Sequence, residues 1–286
     1  MGAPLTTEPT RPEWLKVKLQ DWNSFRQTEE IVETHGLNTV CHSAACPNIA
    51  DCWGRGTATL MLLGNVCTRR CGFCAVLSGV PRAFDPHEPE RVASAVAAMK
   101  LKFAVLTSVA RDDLPDGGAW VFAESIRAIR RRCPGVGVEV LIPDFQGKHD
   151  QIDMVLDAKP DVLNHNIETV KRLQNAVRPS ATYERTLHVL RRAANAGLVA
   201  KSGLMLGLGE TMSEVKEAIG DLRKHGVARL TLGQYLRPDE QHLPVERYVP
   251  PAEFEELGAY ARSLGFAHVE SGPLVRSSYH AERANA

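Results

Sequence analysis

Six of the seven cysteines in the chain fall between Cys41 and Cys74, in two groups of three. One group is Cys67-Thr-Arg-Arg-Cys71-Gly-Phe-Cys74, a CxxxCxxC directly after the apolar run TATLMLLG. The other is Cys41-His-Ser-Ala-Ala-Cys46-Pro-Asn-Ile-Ala-Asp-Cys52, a CxxxxCxxxxxC. Thiolates at such close spacing can wrap one corner of a soft-metal centre, and they select iron–sulfur clusters, zinc or Cu(I). A structural zinc site wants four closed ligands, usually as paired CxxC or CxxC/HxxxH halves, and neither group has that form. A core face is a poor account too, because three cysteines on one short loop cannot pack as one. A cubane of four irons held by three cysteines leaves one iron open for another ligand. In the Cys41–Cys52 group His42 is the nearest alternative donor, against its plainer reading as a loop histidine.

The rest of the composition supports reduced thiolates over disulfides. A secreted disulfide scaffold spreads its cysteines and carries a signal peptide, whereas residues 1–19 lack an apolar signal core and carry Glu8 and Glu13. MGAPLT fits a loose myristoylation pattern through Gly2 and Thr6, and is read as chance. No apolar run approaches the roughly 20 residues that span a bilayer. Lys plus Arg and Asp plus Glu number 34 each, so no nucleic-acid or membrane partner is expected and the expected location is cytoplasmic. With 286 residues, 44% hydrophobic and 24% charged, the chain is long and apolar enough for a buried core.

Elements to hold these loops follow from the hydrophobic periods. Helical character covers 22–34, and 41–56 reads as short irregular segments around the first cysteines. Strands are expected at 57–64, 102–109, 136–143, 161–168, 198–209, 229–236 and 267–273. Helices are expected at 88–100, 118–132, 149–158, 182–196, 213–225 and 251–264. Alternation of buried strand and amphipathic helix implies right-handed crossovers and a parallel sheet, an α/β fold. In such folds the active site gathers at the carboxyl ends of strands. The long polar loops 110–116 and 169–180 lie there. Gly203, Gly207 and Gly209 do not make GxGxxG, so no dinucleotide site is read from them. Cys133, after Arg130–Arg132, belongs to neither group and reads as a structural thiol.

CxxxCxxC with Phe73 just before its last cysteine resembles the signature of the radical S-adenosylmethionine superfamily. That resemblance implies a partial (β/α)6 barrel, with the open iron chelated by the amino and carboxylate groups of S-adenosylmethionine. The second cysteine group upstream of it, together with Arg276-Ser-Ser-Tyr-His-Ala281, resembles the lipoyl synthase family. RDDLPDGGA, NHNIETV, VRPSATYERTL and GLMLGLGET extend the likeness over roughly 38–281.

The family resemblance implies two [4Fe-4S] clusters, one on Cys67, Cys71 and Cys74 and an auxiliary one on Cys41, Cys46, Cys52 and Ser278. A serine oxygen is a hard ligand on a soft cluster and is easier to displace than a thiolate, which suits a cluster dismantled for its sulfides. The implied activity is radical insertion of two sulfurs at C6 and C8 of an octanoyl chain on a lysine of a lipoyl carrier protein. A reducing partner such as ferredoxin or flavodoxin would supply electrons. S-adenosylmethionine contacts are expected from Phe73, Gly117 and Gly118, Asn166 and Glu168, with Arg178 pairing the cofactor carboxylate. The implied layout is 1–56 for the auxiliary triad, 57–250 for the partial barrel and 251–286 for the last helix and tail, the extensions covering the open side. A different sulfur-inserting or methylthio-transferring radical enzyme would share Cys67–Cys74 without the rest. A zinc-stabilised binding module is the rival from another class.

Overall fold

In the computed structural model the described residues are 9–16, 22–44, 46–55, 57–279 and 281, so the Gly2/Thr6 pattern and His280 lie outside them. The chain runs α1 (Trp22–Thr34), β1 (Asn38–Thr39), α2 (Val40–Ser43), α3 (Ile49–Gly54), β2 (Thr59–Leu62), β3 (Val66–Cys67) and β4 (Leu77–Ser78). It continues with α4 (Glu88–Ala98), β5 (Phe103–Ser108), α5 (Ala119–Arg132), β6 (Gly137–Leu141), α6 (His149–Asp157), β7 (Val162–Asn164), α7 (Gln174–Val177) and α8 (Tyr183–Asn195). Last come β8 (Val199–Leu206), α9 (Met212–Lys224), β9 (Arg229–Gln234), α10 (Pro251–Ser263) and β10 (His268–Ser271).

Eight strands form one sheet in the order β1-β2-β5-β6-β7-β8-β9-β10. β1 pairs antiparallel with β2, and every other neighbouring pair is parallel. Among the described residues β1 and β10 stay unpaired edges, so the sheet curls without closing. The six strands β2 and β5–β9 with their helices are the expected partial barrel. Alternate residues face opposite sides of each strand. Leu60, Leu62, Leu106, Val140 and Leu232 belong to the outer core, packed with Val96, Phe122, Ile126, Ile152 and Leu222 of the helices. Their neighbours Thr59, Met61, Val105, Thr107, Gly203 and Thr231 line a cavity on the concave face.

Local chemistry sets the helix starts. Thr211 and Glu214 form a reciprocal capping box on α9, Thr182 caps α8, and Pro89 and Pro251 open α4 and α10. Two expectations need correction. Residues 41–56 are not irregular: they hold α2 and α3, the first started by Thr39 accepting from the His42 amide at 3.3 Å. The strand expected at 161–168 stops at Asn164, and the chain then bends so that Glu168, at φ +67°, makes an isolated bridge to Leu204.

The tail follows the inner wall of the sheet. Gln234 N donates to Pro273 O at 3.2 Å, and a Cβ on Gly233 would stand 2.1 Å from Val275 O, so only glycine lets the tail pass there. At the other end Ala281 is buried with Phe103, Val105 and Val162, near the amino ends of β5 and β7.

Candidate active site

Cys67 lies on β3 and is held from several sides. Its sulfur accepts from Ala110 N at 3.3 Å and Arg69 N at 3.4 Å, and its carbonyl accepts from Gly79 N at 2.9 Å. Gly72 N donates to Val177 O and Leu243 N to Gly72 O, both at 2.9 Å, while His242 Nε2 meets Cys74 O at 2.9 Å. The loop is therefore held both by its neighbours and by its own bonds, among them Cys74 N to Cys71 O at 3.2 Å. Phe73 packs against the buried group of Val177, Leu208, Tyr235 and Val245, an anchor for the loop. Burial pushes the Cys71 thiol up, opposed first by the Arg178 charge, and burial carries Cys74 up to about 11.

Cys41 is on α2, Cys46 in the turn before α3 and Cys52 on α3. Burial raises all three thiols, Cys52 to about 12, and the neighbouring sulfurs add to the rise at Cys41 and Cys52. Opposing cations stand beside them: Arg276 acts on Cys46, and Arg55 Nη2 reaches Cys52 Sγ at 3.8 Å. The Trp53 indole N–H is buried without a hydrogen-bond partner and lies toward Cys41, where an anionic thiolate would accept it. Ser278 lines the same cavity as this triad, its Oγ accepting from Thr59 Oγ1 at 2.8 Å across more than two hundred residues of chain. His42 is exposed, its ring 4.6 Å from that of Trp53, and is not among the residues lining the cavity.

Both triads, Ser277 and Ser278 line the same cavity of about 1030 Å³. Asn166, Glu168 and Arg178 line it too, from beyond the carboxyl end of β7. Arg178 is buried, and its Nη1 donates to Asn166 O at 2.8 Å and Thr186 Oγ1 at 3.4 Å, so it is no surface salt-bridge residue. Burial raises the Glu168 carboxyl, opposed by Arg178 and Asn166. Asn166 Oδ1 is buried without a partner, an acceptor ready for an ammonium group. His165, beside it, is driven down to about 4, by burial first and then by Arg178, so it stays neutral.

The donor set fits clusters better than one ion. Among the described residues no three Cys, His, Asp or Glu side chains close around a single metal. A tetrahedral zinc would gather its sulfurs at about 2.3 Å from one centre, whereas a cubane holds each thiolate on a different iron. Three thiolates per site, orphaned donors and acceptors, and guanidinium groups beside each triad suit anionic clusters with an organic cation nearby.

Residues 61–222 match the model of the radical SAM superfamily. The chain is 58% identical over 278 residues to the lipoyl synthase of Symbiobacterium thermophilum, covering 96% of this chain and 87% of that protein. It is 54% identical over 288 residues to the lipoyl synthase of Methylococcus capsulatus, covering 100% and 88%. This chain belongs to the lipoyl synthase family. Solved structures share the fold: HydG, a maturase of the [FeFe]-hydrogenase, has a TM-score of 0.57 at 16% identity, covering 78% of this chain and 58% of that one. Streptococcus suis SuiB bound to S-adenosylmethionine has a TM-score of 0.56 at 11% identity, covering 76% and 50%.

Within this lipoyl synthase framework one pair of expected contacts moves away from the site. Gly117 and Gly118 are not among the residues lining the cavity. Both have positive φ, and a Cβ on Gly118 would meet Leu63 Cδ1 at 2.2 Å, so the pair serves the tight entry into α5. Cys133 caps the end of α5 with its sulfur 3.8 Å from Ala93 O, outside the cavity, as a structural thiol should. Thr59, Arg276, Arg69 and Trp53 were not expected at the site. A threonine on a strand and a tryptophan in a short helix carry no pattern that marks them. Arg69 and Arg276 lie inside the cysteine and RSSYHA motifs, and a charge beside a thiolate is the signal that could have found them.

Proposed function

We propose that this lipoyl synthase works with two four-iron clusters, Cys67, Cys71 and Cys74 holding the radical-forming one and Cys41, Cys46, Cys52 and Ser278 the auxiliary one. The observation that carries this reading is the single cavity onto which all six cysteines and Ser278 open. The activity of the family is insertion of two sulfur atoms at C6 and C8 of an octanoyl chain bound to a protein lysine. When bound, the first cluster and S-adenosylmethionine supply a hydrogen-abstracting radical, and the auxiliary cluster supplies sulfide.

The chain's own residues align these parts and keep water out. Asn166 Oδ1 and the Glu168 carboxyl would accept from the ammonium of S-adenosylmethionine, and Arg178 would offer charge to its carboxylate while its Nη1 braces Asn166. Phe73 anchors the loop under the first cluster. Met61, Val105, Ile142, Met205 and Val275 give the cavity an apolar stretch for the eight-carbon chain. A volume of about 1030 Å³ stands at the upper end of small-ligand pockets.

The macromolecular substrate is an octanoylated lipoyl carrier protein or domain, and a ferredoxin- or flavodoxin-like protein reduces the first cluster. Three working parts follow: 1–56 with the auxiliary triad, 57–250 as the partial barrel and 251–286 as the last helix and tail. No helix among the described residues is long and apolar enough to cross a membrane. All seven cysteines are unpaired, which suits the reducing cytoplasm. Anaerobic reconstitution with iron and sulfide, followed by product assay on an octanoylated carrier peptide, tests the reading: about eight irons and a dihydrolipoyl product are expected. Zinc without iron, or four irons only, would overturn it.

A further inference from the structure

The tail is tied to the auxiliary triad at three places by side chains that are not themselves ligands. Asn48 Nδ2 donates to Leu274 O at 2.7 Å, just before the tail passes Gly233. Tyr279 donates to Asp51 Oδ2 at 3.0 Å, and the Arg55 guanidinium lies 5.5 Å from the Tyr279 ring while pairing with Asp51 at 3.1 Å. Asp51 is one residue before Cys52, so this tie couples the neighbour of Ser278 to the helix carrying a thiolate. Between the two, Thr59 donates to Ser278 Oγ at 2.8 Å. Thr59 also opens β2, is buried, and sets its amide against the Cys41 sulfur.

We propose that Thr59 is a positioning residue for the auxiliary cluster, holding Cys41 through its amide and Ser278 through its hydroxyl, with Tyr279 and Asp51 as the second hold on the tail. The inference rests on the reading of Ser278 as the fourth ligand. Thr59 sits on a strand of the sheet whereas Ser278 sits in a tail without regular structure, so the strand is the fixed partner and the serine the one placed. A hydroxyl donating to an iron-bound serine oxygen makes a charge-assisted hydrogen bond, which strengthens with the negative charge on that oxygen. The same donor gives the serine a partner once it leaves iron, so the ligand is both held and releasable. Partners of ligands orient them, and their removal weakens metal binding by about 10–100-fold.

The test uses the full chain with Cys67, Cys71 and Cys74 changed to Ala, reconstituted with iron and sulfide so that the auxiliary cluster is observed by itself. Mössbauer spectra and the rate of iron loss to a chelator are compared for Thr59→Val, Thr59→Ser, Tyr279→Phe, Ser278→Ala and the parent. Thr59→Val should alter the spectrum of one iron and speed iron loss about tenfold, Thr59→Ser should restore both, and Tyr279→Phe should shift them in the same direction by less. A merely structural threonine would lower the melting temperature and leave the spectrum alone. If Thr59→Val disrupts folding, Tyr279→Phe, made in a half-exposed side chain, carries the test, and an unchanged spectrum there overturns the proposal. An unchanged Thr59→Val spectrum beside a changed Ser278→Ala spectrum refutes Thr59 alone. Unchanged spectra for both refute the serine ligand, and the positioning role falls with it.

Discussion

Arg69 places its Nη1 2.7 Å from Oδ1 of Asp144, joining the loop between Cys67 and Cys71 to the segment after β6. The same guanidinium holds Asp112 at 2.6 and 2.7 Å, and Arg185 reaches the other oxygen of Asp144 at 2.9 Å. Burial alone would raise the Asp144 carboxyl, but the charge of Arg69 leads the forces that hold it down at about 2. A depressed acid stabilises the fold above its unfolded value of 3.8 and loses that stabilisation as pH falls toward 2. Asp144 should therefore contribute roughly 2 kcal/mol at neutral pH, declining below about pH 4. Urea unfolding of the metal-free protein between pH 7 and pH 3 should show this decline, and Asp144→Asn should lack that part of it. Equal acid sensitivity in the two proteins would refute the assignment.

The two cysteine groups should separate by product. Changing Cys67, Cys71 and Cys74 together to Ala should halve the iron content and abolish cleavage of S-adenosylmethionine. The Cys41, Cys46 and Cys52 triple variant should also hold half the iron and still release 5′-deoxyadenosine, yet form no carbon–sulfur bond. Chromatography of both reactions decides the matter, and lipoyl product from the second variant would exclude the auxiliary cluster as sulfur donor.

Ser277 and Ser278 are adjacent and both line the cavity, which makes one a control for the other. Ser278→Ala should cut sulfur insertion by at least tenfold, while Ser277→Ala should cost less. Ser278→Cys should keep its cluster and release sulfide poorly, because a thiolate is a softer and more tenacious ligand. Equal tolerance of Ala at both positions would point to a tail that only packs.

Gly118 tests packing against cofactor contact. Its φ of +86° and the 2.2 Å approach of Leu63 Cδ1 predict that Gly118→Ala destabilises by roughly 2–4 kcal/mol. The folded fraction should bind S-adenosylmethionine with unchanged affinity in calorimetric titration. A large loss of affinity with little change in melting temperature would return Gly118 to the cofactor.

Much of this architecture is legible in the chain because it depends on local periods. The apolar run TATLMLLG holds the strand Thr59–Leu62 because its long aliphatic side chains pack against the helices on the outer face of the sheet. Thr211 with Glu214, and Pro251, mark helix starts through capping chemistry confined to one turn. The cysteine spacings, likewise local, mark which thiols could hold a soft metal. What lay beyond sequence alone is the meeting of distant segments. Thr59 and Ser278 are far apart in the chain and joined by one hydrogen bond, and nothing in either neighbourhood specifies the other. Gly117-Gly118 read as a cofactor cradle because backbone permissiveness looks the same whether a ligand or a side chain approaches it; tertiary packing sets Phe145 and Gln151 against Gly117 and Leu63 against Gly118. Arg178 read equally as a surface pair, and only burial beside Asn166 settled its place. The chain by itself determined which elements form and which atoms can bind metal; the curl of the sheet decided which of them share one cavity, since side-chain proximity across a fold depends on packing at long range.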